Sequence, residues 1–158
     1  MPLLVGILIF DQVELLDVAE PFEVFSVTRL NEKEKGEPEW SSSPFRVILV
    51  AEELGQVLTI GDLRLSPDVS INTCPKLDVL IIPGGWGTRK EVNNHKIIEW
   101  IADRSAQSKI TASVCTGSSL LGKAGLLDGR ESTTTFKLLI SCVNQRLIQK
   151  YAKMYCLL

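Results

Sequence analysis

The chain has 158 residues, 45% of them hydrophobic, a formal net charge of −2 and a single histidine. That length suits one domain with a sizeable buried core. The acidic balance argues against nucleic acid or an anionic membrane as the main partner, and no apolar run reaches spanning length.

The first element is Leu3 to Phe10, a near-continuous apolar run typical of a parallel strand covered on both faces. No Lys or Arg precedes it and no small-residue cleavage site follows, so it reads as a strand rather than a signal peptide. A cytoplasmic location with reduced thiols is the expectation. Asp17 to Leu30 carries Val18, Phe22, Phe25 and Val27 at roughly helical spacing, with Pro21 expected in the first turn. Asn31 to Ser43 reads as a solvated loop.

Phe45 to Ala51 is the second strand. Gln56–Ile60 and Leu63–Leu65, joined across Gly61-Asp62, read as a small hairpin. Val79 to Ile82 is a third, buried strand, ended by Pro83-Gly84-Gly85. Asn93 to Arg104 has Ile97, Ile98 and Ile101 at helical spacing. Ile110 to Val114 is a fourth strand, and Thr116 to Ala124 is the helix after it. A fifth strand is expected over Arg130–Thr135 and a helix over Leu138–Tyr155. Strands alternating with helices imply a mostly parallel sheet covered on both faces, in a single domain over 1–158. The carboxyl ends of its strands then share one edge, where such folds bind ligands. Asp17, Gly84-Gly85 and Cys115 are all expected there.

The four cysteines, Cys74, Cys115, Cys142 and Cys156, form no CxxC pair, so zinc-ligand spacing is absent and no metal is expected. Cys115 lies where an apolar strand gives way to small residues: Thr116, Gly117, Ser118 and Ser119. A strand-to-helix turn that exposes a nucleophile has this form. The thiol is expected to face the start of its helix and to have a lowered pKa. Gly84 and Gly85 read either as a plain glycine-rich turn or, with Gly117, as a loop whose N–H groups stabilise negative charge on an intermediate. Asp17 reads either as a helix N-cap or as a partner of the thiol. Glu14 and Glu20 are weaker acidic candidates. His95 reads as a surface histidine near a helix start, with no orienting partner in the sequence.

Four stretches occur in family order: ILIFDQVELLDVAEPFEVF, GQVLTIGDLRLSPDVSI, DVLIIPGGWGTR and SVCTGSSLLGKAGLLDGRESTTTF. Together they resemble the ThiJ/PfpI superfamily, relatives of class I glutamine amidotransferase domains, over about residues 3–136. The branch they are most similar to holds the isonitrile hydratases and the sensor domains of AraC-type regulators. The resemblance implies a flavodoxin-like three-layer sandwich and a homodimer. It implies Cys115 as nucleophile, Asp17 as its acidic partner and Thr116 as the neighbouring hydroxyl. Many relatives place a histidine directly after the cysteine. Thr116 stands there instead, which disfavours a cysteine-histidine protease or glyoxalase.

Relatives also often read TTH where this chain has Thr133-Thr134-Thr135. Residues 137–158 are atypical of the family and read as a shortened C-terminus. Its stripe of Leu139, Val143 and Leu147, with Ile140, Ile148 and Tyr151 nearby, is expected to patch one face only in part and to favour association. The implied activity is cofactor-free hydration of small isonitriles to N-substituted formamides. The other implied role is a small-molecule-sensing or redox-responsive module without turnover.

Overall fold

The structure is a computed structural model and describes residues 1–29, 43–130, 132 and 134. Its main sheet is parallel throughout. It consists of β1 (Leu3–Leu8), β2 (Phe45–Ala51), β5 (Val69–Ser70), β6 (Val79–Ile82) and β7 (Ile110–Ser113), in the order β5-β2-β1-β6-β7. A separate antiparallel hairpin pairs β3 (Val57–Leu58) with β4 (Arg64–Leu65). Asp62 takes a φ of 62° at its turn, a conformation aspartate tolerates.

The central strands are the apolar ones for a physical reason. β1 and β6 have neighbours on both edges and helices over the sheet faces. Val5, Ile7, Leu8, Leu80 and Ile82 accordingly lose all contact with solvent. β1 pairs in register with both neighbours, Ile7 lying between Leu49 and Ile81.

The helices are α1 (Leu15–Val27), α2 (Thr88–Glu91), α3 (His95–Gln107) and α4 (Ser118–Lys123). From β1 the chain crosses through α1 to β2, towards the β5 edge. From β6 it crosses through α2 and α3 to β7, towards the other edge. Right-handed crossovers in opposite directions place α1 and α3 on opposite faces. The winding reverses between β1 and β6, and the crevice at such a reversal is where open parallel sheets bind ligands. The flavodoxin-like sandwich expected from the sequence is the fold observed.

Several local expectations need correction. α1 begins at Leu15, so Pro21 lies inside the helix rather than in its first turn, and it has no N–H to give to the Asp17 carbonyl. Of the four apolar residues expected to face the core, Val18 is buried and Phe25 packs edge-to-face on Phe45, whereas Phe22 and Val27 are exposed. The helix expected over Thr116–Ala124 is split into a 3-10 turn over Cys115–Gly117 and the six-residue α4. Arg130, Ser132 and Thr134 are described outside any strand. Residues 31–42 of the expected loop, the rest of the expected fifth strand and the expected helix over 138–155 lie outside the described residues. Sequence periodicity missed β5 and α2, which at two and four residues are too short to show it.

Candidate active site

Three chain segments meet at the switch point. Val13, between β1 and α1, bridges antiparallel to Gly85 and parallel to Thr59 of the hairpin region. The Glu14 N–H donates to the Gly84 carbonyl at 3.0 Å. These backbone contacts press the first turn of α1 against the glycine loop after β6. Asp17 is the third residue of that helix and is buried. It is not the N-cap: Glu14 holds that position and makes no side-chain cap bond. The Asp17 carboxylate turns inward, and Oδ2 accepts the Gly84 N–H at 2.9 Å.

Cys115 lies one residue beyond the Val114 that follows β7. Its φ is +52°, the left-handed region that costs an L-residue roughly 1–2 kcal/mol. Such a conformation persists only where surrounding contacts over-determine it. Here the Gly117 N–H closes the turn onto the Val114 carbonyl at 2.9 Å. Gly117 itself lies directly under the Ile82 and Pro83 carbonyls, where a β-carbon would collide with backbone. The Cys115 carbonyl is held by two hydroxyls, Thr134 at 2.8 Å and Ser118 at 3.3 Å.

The half-buried thiol hydrogen-bonds Asp17, the Thr116 hydroxyl and the Thr116 N–H. Burial pushes the thiol above its ordinary value. The Thr116 N–H opposes that shift and the Asp17 charge adds to it. The expected lowering is therefore overturned. The dominant influence is desolvation, and the α-helix that follows has only six residues. Asp17 is also raised, first by burial, against the opposing Gly84 hydrogen bond, with Glu14 repulsion adding to it. The thiol–carboxylate hydrogen bond favours ionised Asp17, so the thiol is the donor and the carboxylate the acceptor.

The glycine loop does not do what the sequence suggested. The Gly84 N–H is taken by Asp17, the Gly85 N–H by the Thr116 hydroxyl at 2.9 Å, and the Gly117 N–H by Val114. None of the three is free to stabilise an oxyanion. Their role here is close packing. A β-carbon on Gly84 would lie 2.6 Å from the Thr116 nitrogen and 2.8 Å from Asp17 Oδ2. A glycine there lets the acid and the Thr116 backbone converge.

Thr116 Oγ1 has two acceptors in reach, the Gly85 carbonyl at 3.2 Å and the Cys115 sulfur. Thr88, fully enclosed at the start of α2, donates to the Gly85 carbonyl at 2.9 Å and approaches Thr116 Oγ1 at 3.3 Å. Sequence reasoning did not single out Thr88, Ser118 or Thr134 as site residues. Thr88 follows Gly85 by three residues, a spacing that suits a local hydroxyl–carbonyl bond. Thr134 is 19 residues from its partner, and no local pattern reports it.

Glu14 and Glu20 lie beside Asp17 electrostatically, Glu14 half-buried and Glu20 exposed. His95 is exposed at the first position of α3. A cavity of about 460 Å3 is lined by residues including Gln12, Leu58, Ile60, Trp86 and Arg89; Cys115, Asp17 and Thr116 are not among them. Among the described residues no three His, Cys, Asp or Glu side chains are placed to hold a metal ion, and no helix is long and apolar enough to cross a membrane.

The model of the DJ-1/PfpI family matches residues 4–154. The chain is 35% identical over 134 residues to the isonitrile hydratase of Pseudomonas putida, covering 85% of this chain and 53% of that protein. It is 31% identical over 84 residues to the HTH-type transcriptional regulator GbdR of Pseudomonas aeruginosa, covering 53% of this chain and 23% of the regulator. A crystal structure of a ThiJ/PfpI family protein from Pseudomonas syringae superposes with a TM-score of 0.72 at 29% identity, over 85% of this chain and 50% of that one. The chain thus spans about half the length of the hydratase and of that solved structure. The match of the family model over nearly the whole length places this chain in the DJ-1/PfpI family.

Proposed function

We propose that this protein is a cysteine-dependent, cofactor-free hydratase of small isonitriles, turning R–N≡C and water into R–NH–CHO. The observation that carries the reading is the thiol of Cys115, held in a left-handed turn and hydrogen-bonded to the buried Asp17 carboxylate.

The terminal isonitrile carbon is electrophilic towards sulfur. As Cys115 Sγ bonds to that carbon, Asp17 takes the S–H proton and delivers it to the same carbon, giving the thioimidate R–N=CH–S–Cys. Ionised Asp17 then draws a proton from water as the water oxygen adds to the carbon, with the Thr116 hydroxyl positioning that water. Asp17 passes the proton to nitrogen. The C–S bond breaks, the carbonyl forms, and the proton of the added hydroxyl returns to sulfur by way of Asp17. One water is consumed and nothing is oxidised or reduced. The burial that raises Asp17 suits it to this alternation.

The engaged glycine N–H groups favour this chemistry over acyl transfer. Acyl transfer needs preorganised donors for an oxyanion, whereas isonitrile addition needs a proton delivered to carbon. The similarity to the hydratase of P. putida points the same way.

A second reading, ligand binding without turnover, is favoured by the likeness to GbdR. Incubating the purified protein with cyclohexyl isocyanide and measuring N-cyclohexylformamide by mass spectrometry separates the two. We expect formamide from the parent and none above background from Cys115→Ala. No formamide from the parent, with saturable isonitrile binding, would replace the hydratase by the sensing module. Equal formamide from both proteins would remove Cys115 from the chemistry.

A further inference from the structure

The Cys115 carbonyl and the Thr116 N–H belong to one peptide unit. A peptide is planar and trans, so fixing its oxygen fixes the direction of its N–H. At this peptide the oxygen accepts the Thr134 hydroxyl at 2.8 Å, and the N–H at the other end is the backbone hydrogen-bond donor that favours the Cys115 thiolate. We propose that Thr134 is a positioning residue: by clamping the carbonyl of the Cys115–Thr116 peptide it aims the N–H that steadies negative charge on the sulfur. This inference deepens the hydratase reading and rests on Cys115 being its nucleophile.

Three observations carry it. The clamp comes from a distant part of the chain, whereas Ser118, the other donor to this oxygen, lies within the same turn at the longer distance of 3.3 Å. Cys115 sits at φ +52°, so the peptide after it is held in an orientation an L-residue does not choose by itself. The glycine donors are engaged elsewhere, at Asp17, Thr116 and Val114, which leaves the Thr116 N–H as the backbone donor that favours charge on the sulfur. A hydroxyl donating to one end of an amide also polarises the N–H at the other end. The clamp therefore both directs and strengthens that donor.

The charged group facing the thiol is Asp17 from α1. Glu14 and Glu20 act on Asp17, and Thr116 contributes its hydroxyl and N–H. Substitution of Thr134 leaves all of these in place. Its effect on the thiol is then read against an unchanged set of charges.

The test is the rate of iodoacetamide alkylation at Cys115 in the full-length protein, followed by peptide mass mapping from pH 6 to 10. Thr134→Val keeps the shape and removes the hydroxyl. Thr134→Ala removes the hydroxyl without β-branching and replaces Thr134→Val if that variant does not fold. Thr134→Ser keeps the hydroxyl. In the hydroxyl-free variants we expect the midpoint of the pH profile to move upward and the rate at pH 7 to fall about threefold or more, the loss that half a pKa unit of thiolate gives. Thr134→Ser should stay within about twofold of the parent on the same scale. An unmoved midpoint in a folded hydroxyl-free variant would overturn the proposal. So would a Thr134→Ser variant that shifts as far as the hydroxyl-free ones, because packing rather than the hydroxyl would then be responsible. The readout needs no isonitrile, so failure here leaves the hydratase assay intact, and failure of that assay leaves this result standing.

Discussion

Cys115 and Cys74 are the two free cysteines among the described residues, and burial pushes both thiols above the ordinary value. Their surroundings otherwise differ. Cys74 is 5% exposed, points its thiol at the Pro75 carbonyl at 3.4 Å, and feels only Arg104 as an opposing influence. Cys115 is half-buried at a left-handed turn, between a carboxylate and a hydroxyl. The contrast separates two meanings of an activated cysteine. Here the distinguishing feature of Cys115 is presentation beside a proton acceptor, because a lowered pKa distinguishes neither thiol.

The comparison breaks hardest at Asp17. Asp17→Asn keeps an oxygen for the Gly84 N–H and removes the proton acceptor. Isonitrile turnover should fall by about two orders of magnitude or more, the scale of acid–base catalysis. Alkylation should respond in the opposite sense. The Asp17 charge raises the Cys115 thiol, so its removal lowers the midpoint of the Cys115 pH profile and speeds labelling at pH 8. Turnover and labelling measured on one protein preparation decide the matter. A parallel fall in both would mean that Asp17 merely keeps the turn folded.

The difference between the two cysteines sharpens by direct labelling. With limiting iodoacetamide at pH 8, the Cys115 peptide should be modified about tenfold faster than the Cys74 peptide, since access and thiolate fraction together set the rate. Preferential modification of Cys74 would end the distinction drawn between them. The midpoint for Cys115 should lie above that of a free thiol, near pH ~8.5. A midpoint well below it would restore the helix-start expectation that the structure overturns.

How far the sequence reveals this site depends on which contacts are local. The bounds of β2 and β6 are readable because each is largely apolar, Arg46 being the one charged residue, and each is flanked by proline or acidic residues. The joint at Cys115 is readable for the same reason: β-branched residues stop and small ones begin. Asp17, Cys115 and Thr116 are brought together because the sheet places their strand ends on one edge, and alternation of elements was enough to expect that. The destination of the glycine N–H groups was not readable. Gly84 reports room for a close approach, but its acceptor lies 67 residues away and that of Gly85 lies 31 away. The sign of the thiol shift was hidden for a related reason. A helix start is visible in sequence, whereas the burial that outweighs it is made by segments remote in the chain. Thr134 shows the same limit from the other side, as a polar residue in a polar run whose partner is the nucleophile's own backbone.

The smallest expected effect is on stability, and it tests whether Asp17 belongs with the reacting groups or with the packing. Burial raises the Asp17 pKa in the fold above the free value of about 3.9. A group raised in this way contributes its stability below the unfolded value and loses it as pH climbs through the folded value. The parent should therefore lose stability relative to Asp17→Asn as pH rises from about 4, with the gap level once the carboxylate is fully ionised. Taking the difference between the two proteins cancels every other titrating group. The Tm of the parent relative to that of the variant should be lower at pH 7 than at pH 4. Thermal melts of both proteins in matched buffers measure it. A variant that loses ground as pH rises would mean that ionised Asp17 stabilises the fold, and the carboxylate would then be a structural anchor for the Gly84 loop rather than a group held under strain beside the thiol.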